Sequence, residues 1–569
     1  MRARRGIALA AAAAVIVLSL LLVRDHTRED SFSADEPVHI LAGYLQVFGR
    51  TALVNIEHPP LAKELAGLAL TRLPLPPPPA SIPLGNNFTD YGHAFLFAGP
   101  VSPDAIAATA RAPFLIVFSL LLLLLFFAAR ARYGVAAALF ALSLVAFDPN
   151  FVAHAGVVHT DLGAALTFLA TVLAWERARR GGWASIVIAA AALGIALVTK
   201  FSSVYLLPIL LLQALLAVRR EARPARAAGR AIGRLCLVSA GAALLVLATY
   251  AVVCARMDSR LQRQIIHEMV AERGAPRLSA AIERVALLSP PIGHYLGGLA
   301  SVMRQNAEGG GVNYLFGRVS VHGFPAYFFV AFLFKSTLAF LLVTVACLAA
   351  PLADPEARSD ARLWLLPVGV LFLASIGTSY NIGIRHMLPV YPFLALAGAG
   401  VLSRLSWRRP MLSAILLAAL PALSVAELAR VHPHELSYFN PVAGGPVAGR
   451  RILSDSNVDW GLDLRRLAAE LQRRRVSDPT VVYFGGDDVF HRVGVADFSA
   501  EPRVRGRLVA ISAFHLTEGP EFYAYHGARG VSGALERLRR DLAARGRLLG
   551  RVGYSIDLYE LPPEGITGR

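Results

Sequence analysis

Lysine is almost missing from this chain of 569 residues: Lys63, Lys200 and Lys335 are the only three among 56 basic side chains. A GC-rich genome explains a general preference for Arg and Ala, so a lysine that persists marks a position to inspect. Cysteine is as scarce. Cys236, Cys254 and Cys347 all lie in apolar runs. Cys236 and Cys254 sit roughly 27 Å apart along one helix, too far to pair. No zinc or disulfide framework is visible. Charge of either sign is thin: 17% of the chain is charged and 55% hydrophobic, with a mean hydropathy of +0.53. Soluble domains run about 25% charged. These values exclude a disordered chain and argue against a single soluble domain. No P-loop or dinucleotide fingerprint appears. His267-Glu-Met-Val-Ala271 has Ala where a zinc-protease helix needs its second His. His432-Pro-His434-Glu435 holds ligand-type residues, but Pro433 and a loop setting make it a weak candidate.

What the chain does have is long apolar runs. A membrane-spanning helix needs about 20 mostly apolar residues. Eleven candidates fit, at 7–23, 105–128, 134–148, 161–175, 183–199, 203–218, 235–255, 330–350, 363–379, 387–402 and 411–428. The first reads as an uncleaved anchor, because no small-x-small site follows it. Arginine counts set the orientation. With the N-terminus inside, the inner segments hold 19 Arg against five acids, a net +14 of the chain's +17. The short outer links 149–160 and 380–386 hold only Arg385. The basicity is therefore a topology signal and not a nucleic-acid surface.

This predicts a mainly α, polytopic membrane bundle of about 11 transmembrane helices, residues 1–428, with outer loops at about 24–104 and 256–329. A C-terminal extracytoplasmic domain follows at 429–569. Alternating runs at 480–484 and 507–512, with amphipathic stretches at 462–475 and 533–546, make that domain α/β. Pro74-Leu-Pro-Pro-Pro-Pro79 reads as a stiff linker, and Asn87-Phe-Thr89 matches a glycosylation sequon. The predicted location is the cell (inner) membrane, with the N-terminus cytoplasmic.

The polar oddities gather at one level, the outer ends of the helices. Asp35-Glu36 follows the first span, or is simply a solvated acidic pair. Glu57-His-Pro-Pro-Leu-Ala-Lys63 opens an amphipathic stretch that suits a helix in the interface plane. The link from Asp148 to Asp161 holds His154, His159 and two Asp between apolar runs, where ionisable groups are costly unless they serve a site. Asp161 could instead cap the following helix. Lys200 closes the fifth span and Lys335 sits near the outer start of the eighth; each could merely snorkel. Arg385, beside His386, is placed against the positive-inside trend, and a guanidinium suits a phosphate. Transporters more often place such groups near the midplane on broken helices. An outer-face site suits a lipid-linked substrate with its phosphate head at the interface.

The ordered motifs carry a resemblance. Asp35-Glu36, Glu57-His-Pro-Pro-Leu-Ala-Lys63, His154 with Thr160-Asp161, Arg385-His386-Met-Leu-Pro389 and Asp455-Ser-Asn-Val-Asp-Trp-Gly461 occur in that order. Together they resemble the bacterial polyprenyl-phosphate-dependent glycosyltransferases of the GT-C superfamily, in the protein O-mannosyltransferase-like branch (glycosyltransferase family 39). The lipid A aminoarabinose transferases are more distant. The resemblance implies Asp35 as catalytic base and Glu36 as its companion. It places Glu57 and His58 on the interfacial helix, with Lys63, Lys200, Arg385 and His386 as groups for the donor phosphate. The more distant relatives have Glu-Lys-Pro-Pro where this chain has His58. Asp161, with His154, matches a second acidic motif. Some relatives hold a divalent cation between such motifs and others do not; Asp35, Glu57 and Asp161 are the candidate ligands.

The implied partners are a polyprenyl-phosphate-linked sugar and membrane lipids. Phosphate leaves without a general acid, so one carboxylate can suffice, unlike the pair in a typical glycosidase. Asp35 would take the acceptor proton in a single inverting displacement of a hexosyl or pentosyl group. Asn457, Asp459 and Trp460 suggest an acceptor or sugar contact, or equally a turn and cap network. The competing classes are a transporter or flippase of a lipid-linked sugar, and an assembly protein that binds through its tail.

Overall fold

The computed structural model describes residues 2–78, 88–218, 224–271, 276–354 and 357–562. Asn87 of the sequon and Pro79 of the linker lie outside them, as do Arg219, Arg220 and Arg223. All eleven apolar runs fall on helices, but not on eleven straight spans. Among the described residues, five helices are long and apolar enough to cross a membrane: Gly6–Thr27, Pro103–Tyr133, Phe201–Val218, Ala225–Val253 and Pro410–Val431. Two bent pairs raise the number to seven. The other four helices are short or carry charges at their ends; Asp161–Ala178 and Val390–Arg408 are largely buried, whereas Trp183–Thr199 and Ala357–Ser375 leave large apolar side chains such as Trp183 and Leu373 exposed. Val390–Arg408 is the central one, with both small and aromatic residues buried along it. The chain is a multi-pass membrane protein by these helices.

The two bends correct the reading of the links. Val135–Ala146 and Pro149–Ala155 meet at 63°. Asp148 caps the second piece by accepting from the Asn150 amide at 2.9 Å, and Pro149 suits a first helical turn. The segment 148–161 is thus no exposed link: half of it is helix and every residue is buried. Tyr327–Lys335 and Leu338–Leu352 meet at 120°. Lys335 therefore sits at a buried corner and not at the start of a span. The carbonyls freed there are taken by Asn440, whose amide donates to Leu333 and Ser336 at 2.7 and 2.9 Å. A third bond joins the two corners, from Asn150 Nδ2 to the Lys335 carbonyl at 2.8 Å.

Before the second long helix, Glu36–Tyr44 crosses Leu61–Leu70 at backbone contact. A Cβ on Gly43 would lie 2.1 Å from the Lys63 carbonyl oxygen, and one on Gly67 2.1 Å from that of Gly43. Only glycine permits this approach. It sets the backbone of Lys63 against the Glu36–Tyr44 helix at the head of the bundle.

A hairpin of β1 (Asn313–Leu315) and β2 (Arg318–Ser320) decorates the bundle. The C-terminal sheet contains β3 (Thr480–Val482), β4 (Leu508–Ser512), β5 (Arg547–Val552) and β6 (Ile556–Glu560) in the order β3-β4-β6-β5. β3 and β4 are parallel and the other pairs antiparallel. Strand alternation turns Leu508 and Ala510 toward the helix Leu464–Arg473, and Val509 and Ile511 toward Arg529–Arg545. The residues before this body, Leu436 to Leu462, pack instead against Ala153 and Val157 of the bundle.

Sheet domain and bundle are joined by charge. Arg466 Nη1 reaches Asp30 at 2.8 Å and Asp463 at 2.9 Å, and Ser555 donates to Asp463 at 2.6 Å. Backbone bonds run from Ser31 to the Leu462 carbonyl and from Ala34 to that of Trp460, both at 2.9 Å. The loop that leads to Asp35 is thus laid along the C-terminal segment. Arg466→Met would leave Asp30 and Asp463 buried without their shared cation, a loss of about 3–5 kcal/mol. The expected outcome is a lower Tm of the purified protein; an unchanged Tm would contradict the clasp. Burial opposes the charged form of Asp463, but His434, Arg466 and Ser555 outweigh it and hold the carboxyl at about 2, below the usual 3.8. Its stabilisation should be complete above pH 3.8 and fade as pH falls through about 2.

Candidate active site

Glu36 opens its helix with Pro37 behind it and is fully buried. Arg111, from the Pro103–Tyr133 helix, grips it in a fork: Nε to Oε1 at 2.8 Å and Nη2 to Oε2 at 2.7 Å. The amides of Ser33 and Val158 donate to the same carboxylate at 2.8 and 3.0 Å. Arg111 also donates to the Ser31 carbonyl at 2.7 Å. One carboxylate therefore joins the first loop, the second long helix and the buried segment at 158. All of these donors to Glu36 come from within the protein.

That neighbour, Asp35, stands at the N-cap but makes no capping bond. Its Oδ2 accepts from Arg385 Nη1 at 2.9 Å and lies 3.3 Å from His159 Nε2. Its side chain is 38% exposed, against 3% for Arg385 and 4% for His159. The carboxylate is thus the most accessible member of this group. Burial would raise its pKa, but Arg385 and His159 prevail and hold it well below the usual range. From His159 the contacts continue inward. Its Nδ1 pairs with Asp161, and Asp161 pairs with Lys200. Asp35, His159, Asp161 and Lys200 form one chain of alternating partners, drawn from three places in the sequence.

Arg385 is held from behind. Its guanidinium lies 4.2 Å from the Trp460 ring centroid, and Asn457 Oδ1 accepts the Ile384 amide at 3.0 Å. Asn457 Nδ2 donates to Tyr327 Oη at 2.8 Å and to the Ser454 carbonyl at 3.0 Å. Asp459 accepts from the amides of Gly461 and Phe514, both at 3.3 Å. Asn457, Asp459 and Trp460 are all buried within the protein, and Trp460 also faces His154 and His159. Lys335 Nζ supports the same segment through the carbonyls of Leu436 and Asn457, each at 2.7 Å.

The remaining predicted residues separate. Lys63 is buried and donates to the carbonyls of Asn55 and His58, each at 2.6 Å. Burial lowers its pKa to about 7. Glu57 is half-buried and makes no hydrogen bond or ion pair among the described residues. His154 Nδ1 bonds the Asn150 carbonyl at 2.7 Å. His386 packs beside Phe328, 6.0 Å between centroids. Asp35, Glu57 and Asp161 do not come within ligand distance of one another; the group that does is His39, His58 and His159. The acids are matched to Arg385 and Lys200, so a carboxylate cage for a hard cation such as magnesium does not fit. Sequence reasoning missed Arg111, and it gave no role to His39 or His159. The available signal for His39 was its spacing, one helical turn after Asp35.

Residues 106–242 match the family model described as dolichyl-phosphate-mannose-protein mannosyltransferase. This stretch holds Arg111, His154, His159, Asp161 and Lys200. The match and the ordered motifs both point to GT-C superfamily glycosyltransferases. No curated protein sequence matches the chain. Among solved structures, ArnT from Cupriavidus metallidurans bound to undecaprenyl phosphate is 14% identical, covering 100% of this chain and 99% of its own, with a TM-score of 0.33. The oligosaccharyltransferase AglB from Archaeoglobus fulgidus, with an inhibitory peptide and a dolichol-phosphate, is 12% identical. It covers 98% of this chain and 75% of its own, with a TM-score of 0.47.

Glu36 and Asp35 should part company under mutation. Glu36→Gln leaves Arg111 buried beside a neutral amide, at a cost of about 3–5 kcal/mol. The expected result is a large fall in Tm and poor recovery in detergent. A Glu36→Gln protein with normal Tm would mean that the bridge does not hold the fold.

Proposed function

We propose that this protein transfers a sugar from a polyprenyl-phosphate donor to an acceptor hydroxyl at the outer face of the cell membrane. The observation that carries the reading is Asp35. It is the outward-facing carboxylate of a cluster whose other members, Arg385, His159, Asp161 and Lys200, are buried. All of these groups lie at one level, joined by direct contact, and do not form a path through the bundle. That favours chemistry at the membrane surface over transport.

The division of labour follows from charge. Arg385 is a fixed guanidinium, preorganised by Trp460 and by the bonded Ile384 backbone, and it recognises the donor phosphate. An incoming phosphate competes with Asp35 for that guanidinium. Losing part of this partner raises the basicity of Asp35 at the moment an acceptor hydroxyl needs a base. The hydroxyl oxygen then attacks the anomeric carbon while Asp35 takes its proton. The lipid phosphate departs toward Arg385, and the displacement inverts the centre. His159 keeps Asp35 oriented, and Asp161 with Lys200 keeps His159 oriented. In this reading the N-terminus is cytoplasmic, and the sheet domain is extracytoplasmic and closes the site through residues 457–460.

The test is sugar transfer or release from a radiolabelled polyprenyl-phosphate sugar by the purified protein. Asp35→Asn should lower turnover by about 10²–10⁴-fold with the protein still folded. Full activity in that variant would remove Asp35 as base. Arg385→Lys keeps the charge but not the fork, and should cost about 10²–10³-fold. Wild-type turnover in Arg385→Lys would show that the guanidinium does not read the phosphate. No transfer or release by the wild-type protein from any such donor would overturn the function itself.

A further inference from the structure

The C-terminal half brings two more acids to the neighbourhood of Arg385. Asp455 is half-buried and has φ 53°, a left-handed conformation that few residues other than glycine, asparagine and aspartate accept. Beside it, Ser456 donates to the Ile382 carbonyl, and Asn457 accepts the Ile384 amide at 3.0 Å. These bonds lay Asp455 against the turn that carries Arg385. Glu518 comes from the sheet domain. The hydroxyls of Ser454 and Thr517 bond each other at 2.6 Å, so the residues that follow them, Asp455 and Glu518, are brought together. Glu518 is 0% exposed, and neither of its carboxyl oxygens has a hydrogen-bond partner. Arg385 gives its ion pair to Asp35, and among the described residues no other cation pairs with Asp455 or Glu518. A buried carboxylate with neither donor nor cation is too costly to persist, so Glu518 holds a proton. A neutral carboxylic acid has one O–H to donate, and the acceptor brought to it is Asp455.

We propose that Asp455 and Glu518 share a proton, and that Asp455 relays to solvent the proton that Asp35 takes from the acceptor hydroxyl. The relay rests on the transfer reading above; the shared proton does not. Carboxyl groups whose surroundings drive them apart in acidity mark different proton-handling roles. Burial opposes the charged form of Asp35, but Arg385 and His159 hold its pKa low. Burial pushes Asp455 up to about 7 against the pull of Arg385 and Ser456, and the charge of Asp35 adds to the rise. Burial, with the like charges of Asp455 and Glu521, pushes Glu518 well above the usual carboxylate range despite Ser454. The other polar groups around the pair have partners of their own. Tyr327 Oη accepts from Asn457 at 2.8 Å, Tyr314 Oη donates to the Arg451 carbonyl at 3.2 Å, and Glu521 pairs with Arg539 at 3.9 Å.

The acceptor oxygen forms its bond to the anomeric carbon as the bond from that carbon to the lipid phosphate breaks. The hydroxyl proton goes to Asp35. When the phosphate leaves, Arg385 pairs with Asp35 again and weakens its hold on the proton. Both Asp35 and Asp455 are open to water, so the proton passes through water to the Asp455 carboxylate. Asp455 then gives it to bulk solvent and is ready for the next turnover. Glu518 keeps its own proton throughout. It is a positioning residue, whose O–H holds the Asp455 carboxylate in place.

Two measurements on the purified full-length protein test this. Asp455→Asn suits a left-handed backbone, and Glu518→Gln exchanges a neutral acid for a neutral amide, so both variants should keep the wild-type Tm. At neutral pH, the infrared difference between wild type and Glu518→Gln should contain the carbonyl stretch of a protonated carboxylic acid. Its absence would mean that Glu518 is ionised, which overturns the shared proton. Wild-type turnover should rise as pH rises through about 7, because Asp455 accepts a proton only when ionised. Asp455→Asn should lower the plateau above that pH by about 10²-fold and lose the rise. A folded Asp455→Asn protein with the wild-type profile overturns the relay and leaves the transfer reading standing. A wild type that transfers from no donor fails that reading, and the relay with it, while the infrared band is read independently of both.

Discussion

The cluster around Asp35 depends on one buried charge. Arg111 projects from a long apolar helix into the head of the bundle, where an unpaired guanidinium could not remain. Glu36 neutralises it through a two-pronged contact and two backbone amides. A buried pair of this kind adds little net stability over an apolar substitute, but it is very sensitive to direction. Here it fixes the first loop against the second long helix and the segment at 158. Asp35 is one residue away on the same backbone and inherits that rigidity. Of the acidic pair, Glu36 is bound on all sides within the protein and Asp35 is left partly exposed.

The three lysines obey the same need to place charge where solvent is absent, by a different device. Two of them bind carbonyls and no carboxylate: Lys63 those of Asn55 and His58, Lys335 those of Leu436 and Asn457. A compact ammonium on a flexible stem can satisfy two diverging carbonyls, where a planar guanidinium presents its donors in a fixed fork. Lys200 is the exception, since its partner Asp161 is an acid. All three lysines are buried, and each has its ammonium bound by protein oxygen.

How much of this was legible follows from the range of each signal. The apolar runs were readable because hydropathy is a local property, and all eleven fell on helices. Their bends were not, because the stops at Pro149 and Thr337 depend on distant partners such as Asn440 to take the freed carbonyls. β3 and β4 lie in alternating runs, which a sheet with a helix on each face makes visible. Among site residues, Asp35, Asp161, Lys200 and Arg385 stood out as charges in apolar surroundings and do meet in space. Arg111 was hidden inside what reads as a transmembrane run, and His39 looked like any histidine on a short helix. Glu57 carried a motif yet stands apart, since a motif records spacing and not where a side chain is turned.

The tail shows why a domain boundary drawn from composition can mislead. Its polar-aromatic cluster sits in a segment with few apolar residues, so it reads as part of a water-facing module. Trp460 nevertheless stacks on the Arg385 guanidinium, and Asn457 bonds the backbone before it. A guanidinium lying on an indole face gains most when water is excluded. The segment must therefore be carried into the bundle, and its apolar neighbours Leu436 and Leu462 pack there with Ala153 and Val157. Arg466 and Asp30 then hold the sheet domain over the insertion. A ligand that displaced Asp35 from Arg385 would act on the same guanidinium that the tail holds in place. The sheet domain and the first loop are in this way two halves of one wall around the exposed carboxylate.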